Sequence, residues 1–143
     1  MNTSSFERIA FLLLRLVAGL LFFQAGAAKL FGWFGGMPSD QPPLEMFSQI
    51  WIGAVIEVVG GLLVMIGLFV RPAAFVMSGQ MAVAYWQFHY GWGSGKGWTW
   101  PAQNHGGEAV LMCFIFLYIC AHGAGMLSID EGRELKKAKK PAR

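Results

Sequence analysis

The sequence predicts an all-α protein, a four-transmembrane-helix bundle with its N- and C-termini cytoplasmic. Three observations carry that expectation. Of 143 residues, 55% are apolar and only 13% charged, with a mean hydropathy of +0.48; an ordinary soluble domain carries about 25% charged residues. The charges are absent from four long segments rather than thinned evenly. The basic residues that remain gather on one side of those segments. One small domain cannot bury this much apolar surface, because its surface-to-volume ratio is too high. The apolar content excludes a disordered chain. Two Cys and 19 Gly without a period exclude a disulfide scaffold and a collagen-like chain.

The first span is expected over residues 9–34, apolar apart from Arg15, Gln24 and Lys29. The second covers 51–70 and holds one charge, Glu57. The third covers 72–90 and has none. The fourth covers 107–129, uncharged from Ala109 onward. Each is long enough to cross about 30 Å of hydrocarbon at about 1.5 Å per residue. Helices are expected because lipid offers free backbone groups no partner. No long alternating segments suggest a β-barrel.

Between the first two spans, Gly35 to Gln49 holds the breakers Gly36, Pro38, Pro42 and Pro43. Between the last two, Gly91 to His105 is richer still in glycine. Arg71-Pro72 is read as the whole connection between spans two and three, a tight antiparallel hairpin with Pro72 in a first helical turn. Residues 1–130 thus form one transmembrane domain, and 131–143 a basic cytoplasmic tail, frayed and solvated from Arg133. Ala25-Gly26-Ala27 resembles a signal-peptidase site, but Arg15 interrupts the apolar run and Glu7 offsets Arg8, so no cleavage is expected.

Charge sets the orientation. Arg8, Arg71, Arg133, Lys136, Lys137, Lys139, Lys140 and Arg143 fall on the side of the termini, with Arg15 close enough to snorkel. Lys29 and Lys96 fall on the other. The positive-inside rule puts the termini in the cytoplasm. Trp33, Trp51, Trp86, Trp92, Trp98 and Trp100 lie near or in the two outer loops, as an aromatic belt would. The net charge of +3 belongs to the tail, whose six basic and two acidic residues leave −1 for the rest. Attraction to anionic lipid explains that tail, and nucleic acid is not an expected partner.

Charges within a span are costly, so each needs a partner or a task. Glu57 lies six residues, about 9 Å of helix, below the outer end of span two. Lys29 is near the outer end of span one, His89 closes span three, and Glu108 opens span four after Asn104 and His105. Gln24 and Gln87 share that outer half. Four spans therefore place polar groups in one layer. Lys29 and Glu57 are spaced for a charge-assisted pair. Glu108 with His89 or His105 would form a second, able to pass a proton near neutral pH. A polar pocket walled by Trp and Phe suits a flat amphipathic ligand, a quinone or a lipid headgroup. The same residues also fit a plain interhelical staple with solvated caps, and the residues alone leave both readings open.

His105 has no HxxxH or CxxC companion, so no metal site is expected. His122 is expected to pack against a neighbouring helix or pair with Gln80. Cys113 and Cys120 share a helical face about 10 Å apart, too far for a disulfide. Gly19 and Gly26, then Gly53, Gly60 and Gly67, recur at seven and mark the seam where helices approach closely. Gly60-Gly61 would broaden it, and Ala121, Gly123 and Gly125 would extend it late in span four.

In order and spacing the chain resembles the DoxX family of small bacterial membrane proteins. The matching pieces begin with Arg15-Leu-Val-Ala-Gly19-Leu-Leu-Phe22 and Gly26-Ala-Ala-Lys29-Leu-Phe-Gly32. Then come Glu57-Val-Val-Gly60-Gly61, Gly67-Leu68, Arg71, Met81, Ala84 and His89. The last are Asn104-His105-Gly106-Gly107-Glu108 and Gly123-Ala-Gly125-Met-Leu-Ser128-Ile-Asp130. The resemblance implies a multi-pass protein of the bacterial cytoplasmic (inner) membrane, with Arg15, Lys29, Glu57, His89 and Glu108 as the family-type polar set. Some members of that family are small subunits of thiosulfate–quinone oxidoreductase or quinol-oxidase complexes; others assemble with thiol-handling and superoxide-detoxifying enzymes. The expected function is a quinone-facing or accessory subunit of such a redox system, part of an oxidoreductase complex rather than an enzyme alone. Its expected ligand is a non-covalent quinone. Its partners would be membrane lipid, a redox subunit and further copies of itself. The alternatives are a non-enzymatic scaffold or lipid-binding protein and a small-solute or proton carrier.

Overall fold

The computed structural model describes residues 3–37, 44–90 and 100–138. Lys96, Trp92, Trp98, Lys139, Lys140 and Arg143 lie outside the described residues, as do the prolines at 38, 42 and 43. Every regular element described is helical: α1 (Thr3–Phe31), α2 (Gln49–Ile66), α3 (Val70–Ala84), α4 (Gly107–His122) and α5 (Ile129–Ala138). A 3-10 turn at Trp33–Gly35 follows α1, and a π turn at Tyr85–His89 prolongs α3. Two helical stretches, Ser4–Phe31 and Gln49–Ile66, are long and apolar enough to cross a membrane.

Glycine seams bring the helices together. A Cβ on Gly61 would stand 2.6 Å from the Gly19 carbonyl oxygen, and one on Gly26 would stand 2.6 Å from that of Ala54. As α1 advances from 19 to 26 its partner retreats from 61 to 54, so α1 and α2 are antiparallel. Gly60 faces the other way, against Met77 of α3, and Gly53 faces Gln80. Adjacent glycines thus serve two neighbours. Ser78 donates to the Cys113 carbonyl at 2.8 Å, while Arg71 reaches Cys120 and Ala121, so α3 and α4 are antiparallel too. Phe11 and Phe22 of α1, Val64 of α2, Met77 of α3, and Met112 and Phe116 of α4 share one apolar cluster.

Outward faces are apolar as well. Leu13 and Val17 of α1, Val59 of α2, Phe75 of α3 and Leu111 and Phe114 of α4 are all about half exposed or more. Water would penalise such a surface, whereas lipid does not. With no hydrophobic drive between helices in lipid, close packing at small residues supplies the attraction.

Two boundaries differ from the expectation. The turn between α2 and α3 is Gly67-Leu68-Phe69, and Arg71-Pro72 sits inside the first turn of α3. Gly67, at φ 73°, closes α2 by donating to Val64 O while Leu68 donates to Leu63 O at 2.9 Å. That is a Schellman closure, which takes glycine because the left-handed backbone disfavours a Cβ. Pro72 remains harmless, since N–H groups of a first turn have no intrahelical acceptor.

The fourth apolar run does not continue as one helix to 129. α4 stops at His122, and Gly123 (φ 93°), Gly125 (φ 65°) and Leu127 (φ 52°) break the helix with left-handed backbone. Ser128 then caps a separate helix, α5, accepting from Glu131 N at 3.1 Å and donating to Gly125 O at 2.7 Å. The tail from Arg133 to Ala138 accordingly belongs to α5, not to a frayed extension of α4, and 139–143 lie outside the described residues. Hydropathy showed where charges are missing, not where the backbone turns. Arg15 is 1% exposed and does not snorkel. Its guanidinium donates to the carbonyls of Ala124, Met126 (3.3 Å) and Leu127 (3.1 Å).

Candidate functional site

The antiparallel packing sets the end of α1, the start of α2, the end of α3 and the start of α4 side by side. Lys29 is in the last turn of α1 and Glu57 is two turns into α2. Lys29 Nζ lies 2.7 Å from both carboxylate oxygens of Glu57. The Glu57 side chain is 4% exposed and that of Lys29 32%. A buried carboxylate needs such compensation, and Gln80 of α3 adds to it. Its Nε2 donates to Glu57 Oε1 and to the Gly53 carbonyl, both at 3.1 Å. Gly53 leaves room for that amide, since a Cβ there would meet Gln80 Nε2 at 3.2 Å.

This triad forms part of the wall of a cavity of about 720 Å³. Its other polar lining residues are Gln49, His89, His105 and Glu108, and most of the remainder is apolar, including Phe22, Ile56, Met81 and Phe88. Leu21 and Ala25 of α1, Ile52 of α2 and Val76 of α3 line the cavity and are also exposed on the outer face. The π turn widens the helix by a residue, and both Phe88 and His89 reach the wall beside Ala84. His89 Nδ1 sits 3.1 Å from the Asn104 carbonyl oxygen, and its ring stacks on Tyr85. Asn104 Oδ1 accepts from Gly106 N at 2.8 Å, holding the segment that leads into α4.

Lys29, Glu57, His89 and Glu108 therefore line one cavity, with His105. Others in the expected layer stand apart. Gln24 is not on the wall, and Gln87 is exposed and bonded to Gln49. Asn104 is not on the wall: its carbonyl faces His89 and its side chain bonds Gly106 and Tyr85. Arg15 is near the middle of α1, fourteen positions before Lys29, and bonds the α4–α5 turn. The expected second ion pair does not form: Lys29–Glu57 is the only ion pair among the described residues, and His89 turns Nδ1 to a carbonyl instead of to Glu108. No cluster of metal ligands occurs among the described residues.

The DoxX family model matches residues 10–90, from α1 through the π turn. An uncharacterized protein of Haemophilus influenzae is 36% identical over 122 residues, covering 82% of this chain and 85% of its own. The chain belongs to the DoxX family. No solved structure matches it.

In this DoxX protein the residue that sequence reasoning missed is Gln80. Of the two expectations for His122, packing against a neighbouring helix holds, since it stacks on Phe11 of α1 at 3.6 Å between ring centroids, and pairing with Gln80 does not. A signal existed: Gln80 is a large amide in a span without Asp, Glu, Lys or Arg, and an amide in lipid requires a polar partner. Cys113 and Cys120 are free thiols on α4.

Proposed function

We propose that this DoxX protein spans the bacterial inner membrane four times, termini in the cytoplasm, and holds the head of a quinone-type molecule. It would do so as an accessory subunit of a membrane redox system. One observation carries the reading: four helices each contribute polar side chains to a single, otherwise apolar cavity of about 720 Å³. That mixture of apolar wall and few polar groups is the chemistry of a small-molecule site. The residues fit a quinone head. Lys29 supplies a donor to a carbonyl oxygen, His89 and Glu108 supply groups that exchange protons, and Phe22 and Phe88 supply apolar surface. The cavity's exposed apolar lining offers entry from lipid. α3 with its π turn covers 70–89, about 30 Å of helix at 1.5 Å per residue. A bound quinone accepts and releases electrons, and a partner subunit delivers or removes them.

The test is calorimetric titration of a short-chain quinone into the full chain in lipid nanodiscs. Saturable binding, weakened at least tenfold in Glu57→Gln, is expected. Absence of binding overturns the reading.

A second reading has its own support. Both oxygens of Glu57 are already occupied by Lys29 and one also by Gln80, as in a purely structural staple within a scaffold or lipid-binding protein. It predicts that Glu57→Gln lowers thermal stability and leaves ligand binding and cellular redox phenotype unchanged.

A further inference from the structure

The polar atoms on the cavity wall are unequally divided between donors and acceptors. His89 Nδ1 faces the Asn104 carbonyl at 3.1 Å. A carbonyl only accepts, so Nδ1 carries the proton, and Nε2 of the neutral ring is a bare acceptor. Gln80 is fixed by the same logic. Its Nε2 is spent on two acceptors, and its Oε1 is buried, without a hydrogen-bond partner among the described residues, so Gln80 offers the cavity no donor. Glu108 adds a carboxylate engaged in no ion pair there. Acceptors thus predominate on α3 and α4. From α1, Lys29 is the donor. Its contacts to Glu57 use at most two of its three N–H groups.

We propose that the cavity selects a hydroxyl-bearing head, a lipid-soluble hydroquinone, over the corresponding quinone, with His89 Nε2 as the specificity-determining acceptor. The inference rests on the quinone-type ligand proposed above and adds which of its two forms is bound. A hydroquinone hydroxyl accepts from Lys29, and the other donates to His89 or Glu108. The oxygens of a quinone only accept. They satisfy Lys29 but set lone pair against lone pair on α3 and α4. Leaving an acceptor that the bound head shields from water without its donor costs about tenfold or more in affinity.

The experiment uses the full chain in lipid nanodiscs and three probes of one shape class. These are tetramethylbenzoquinone, tetramethylhydroquinone kept reduced without oxygen, and the redox-inert dimethyl ether of that hydroquinone. Titration calorimetry gives the three affinities. The hydroquinone is expected to bind about tenfold or more tightly than both others. In His89→Leu the ratio falls toward one. Glu108→Gln, at an exposed position where folding is not at risk, also lowers the ratio by offering an amide donor. Quinone binding as tight as hydroquinone binding overturns this inference and leaves the quinone-type reading standing. An unchanged ratio in both variants does the same. Failure of all three probes to bind overturns both.

Discussion

Gly26 of α1 lies directly against Glu57 of α2: a Cβ on Gly26 would stand 2.7 Å from the Glu57 Cβ and 2.8 Å from Val58 N. The glycine lets α2 come close enough for Lys29, three residues further along α1, to grip the carboxylate. Packing and site geometry are therefore one feature.

Gly26→Ala is expected to push α2 away and destabilise the protein by about 1–3 kcal/mol, the usual cost of overpacking. Gly79 is the control, because a Cβ there meets nothing within 4 Å. Gly79→Ala is expected to stabilise α3 by up to about 1 kcal/mol through helix propensity. Thermal unfolding in detergent, followed by circular dichroism, distinguishes the two. A Gly26→Ala protein as stable as wild type would contradict the close approach.

Glu57→Gln keeps the shape and removes the charge that offsets Lys29. The expected loss is about 3 kcal/mol or less, since breaking a buried pair costs more but Lys29 is about one-third exposed. Lys29→Met combined with Glu57→Leu removes both charges and is expected to recover part of the loss. A double-mutant cycle on unfolding midpoints measures this, and strict additivity would show that the pair is not coupled.

Arg15 holds the α4–α5 turn through three carbonyls. Arg15→Met is expected to cost about 3 kcal/mol or more, because the charged hydrogen bonds of a buried guanidinium are lost. Cleavage between residues 123 and 128 by an added protease should accelerate. Arg15→Lys should restore little, since an ammonium cannot spread over three acceptors as a planar guanidinium does. Fragment mapping by mass spectrometry reads the outcome, and unchanged cleavage would remove the arginine's role.

Asp130 closes the first turn of α3, accepting from Val70 N at 3.0 Å, while its own N–H donates to Gly67 O at 2.9 Å. Asp130→Ala is expected to cost about 1 kcal/mol, the value of a lost helix cap. Amide exchange at Val70 should quicken. Retained protection there would mean that another group takes over the cap.

The sequence by itself determined that the protein is helical and apolar on its outward faces, because a scarcity of charge over long runs has no other economical solution. It also determined that small residues make the seams and that Lys29, Glu57, His89 and Glu108 belong at one end. Their depths follow from counting along antiparallel helices. Tertiary structure decided what depth cannot. Rotation about each helix axis put Gln80 on Glu57, turned Gln87 to Gln49 and left Gln24 off the wall. A π turn, invisible to hydropathy, brought His89 to the cavity. The break after His122 depends on left-handed glycines and on carbonyls held by Arg15 and Arg71, residues about 110 and about 50 positions away respectively. Such long-range hydrogen bonds are properties of packed helices, and no local run of residues contains them.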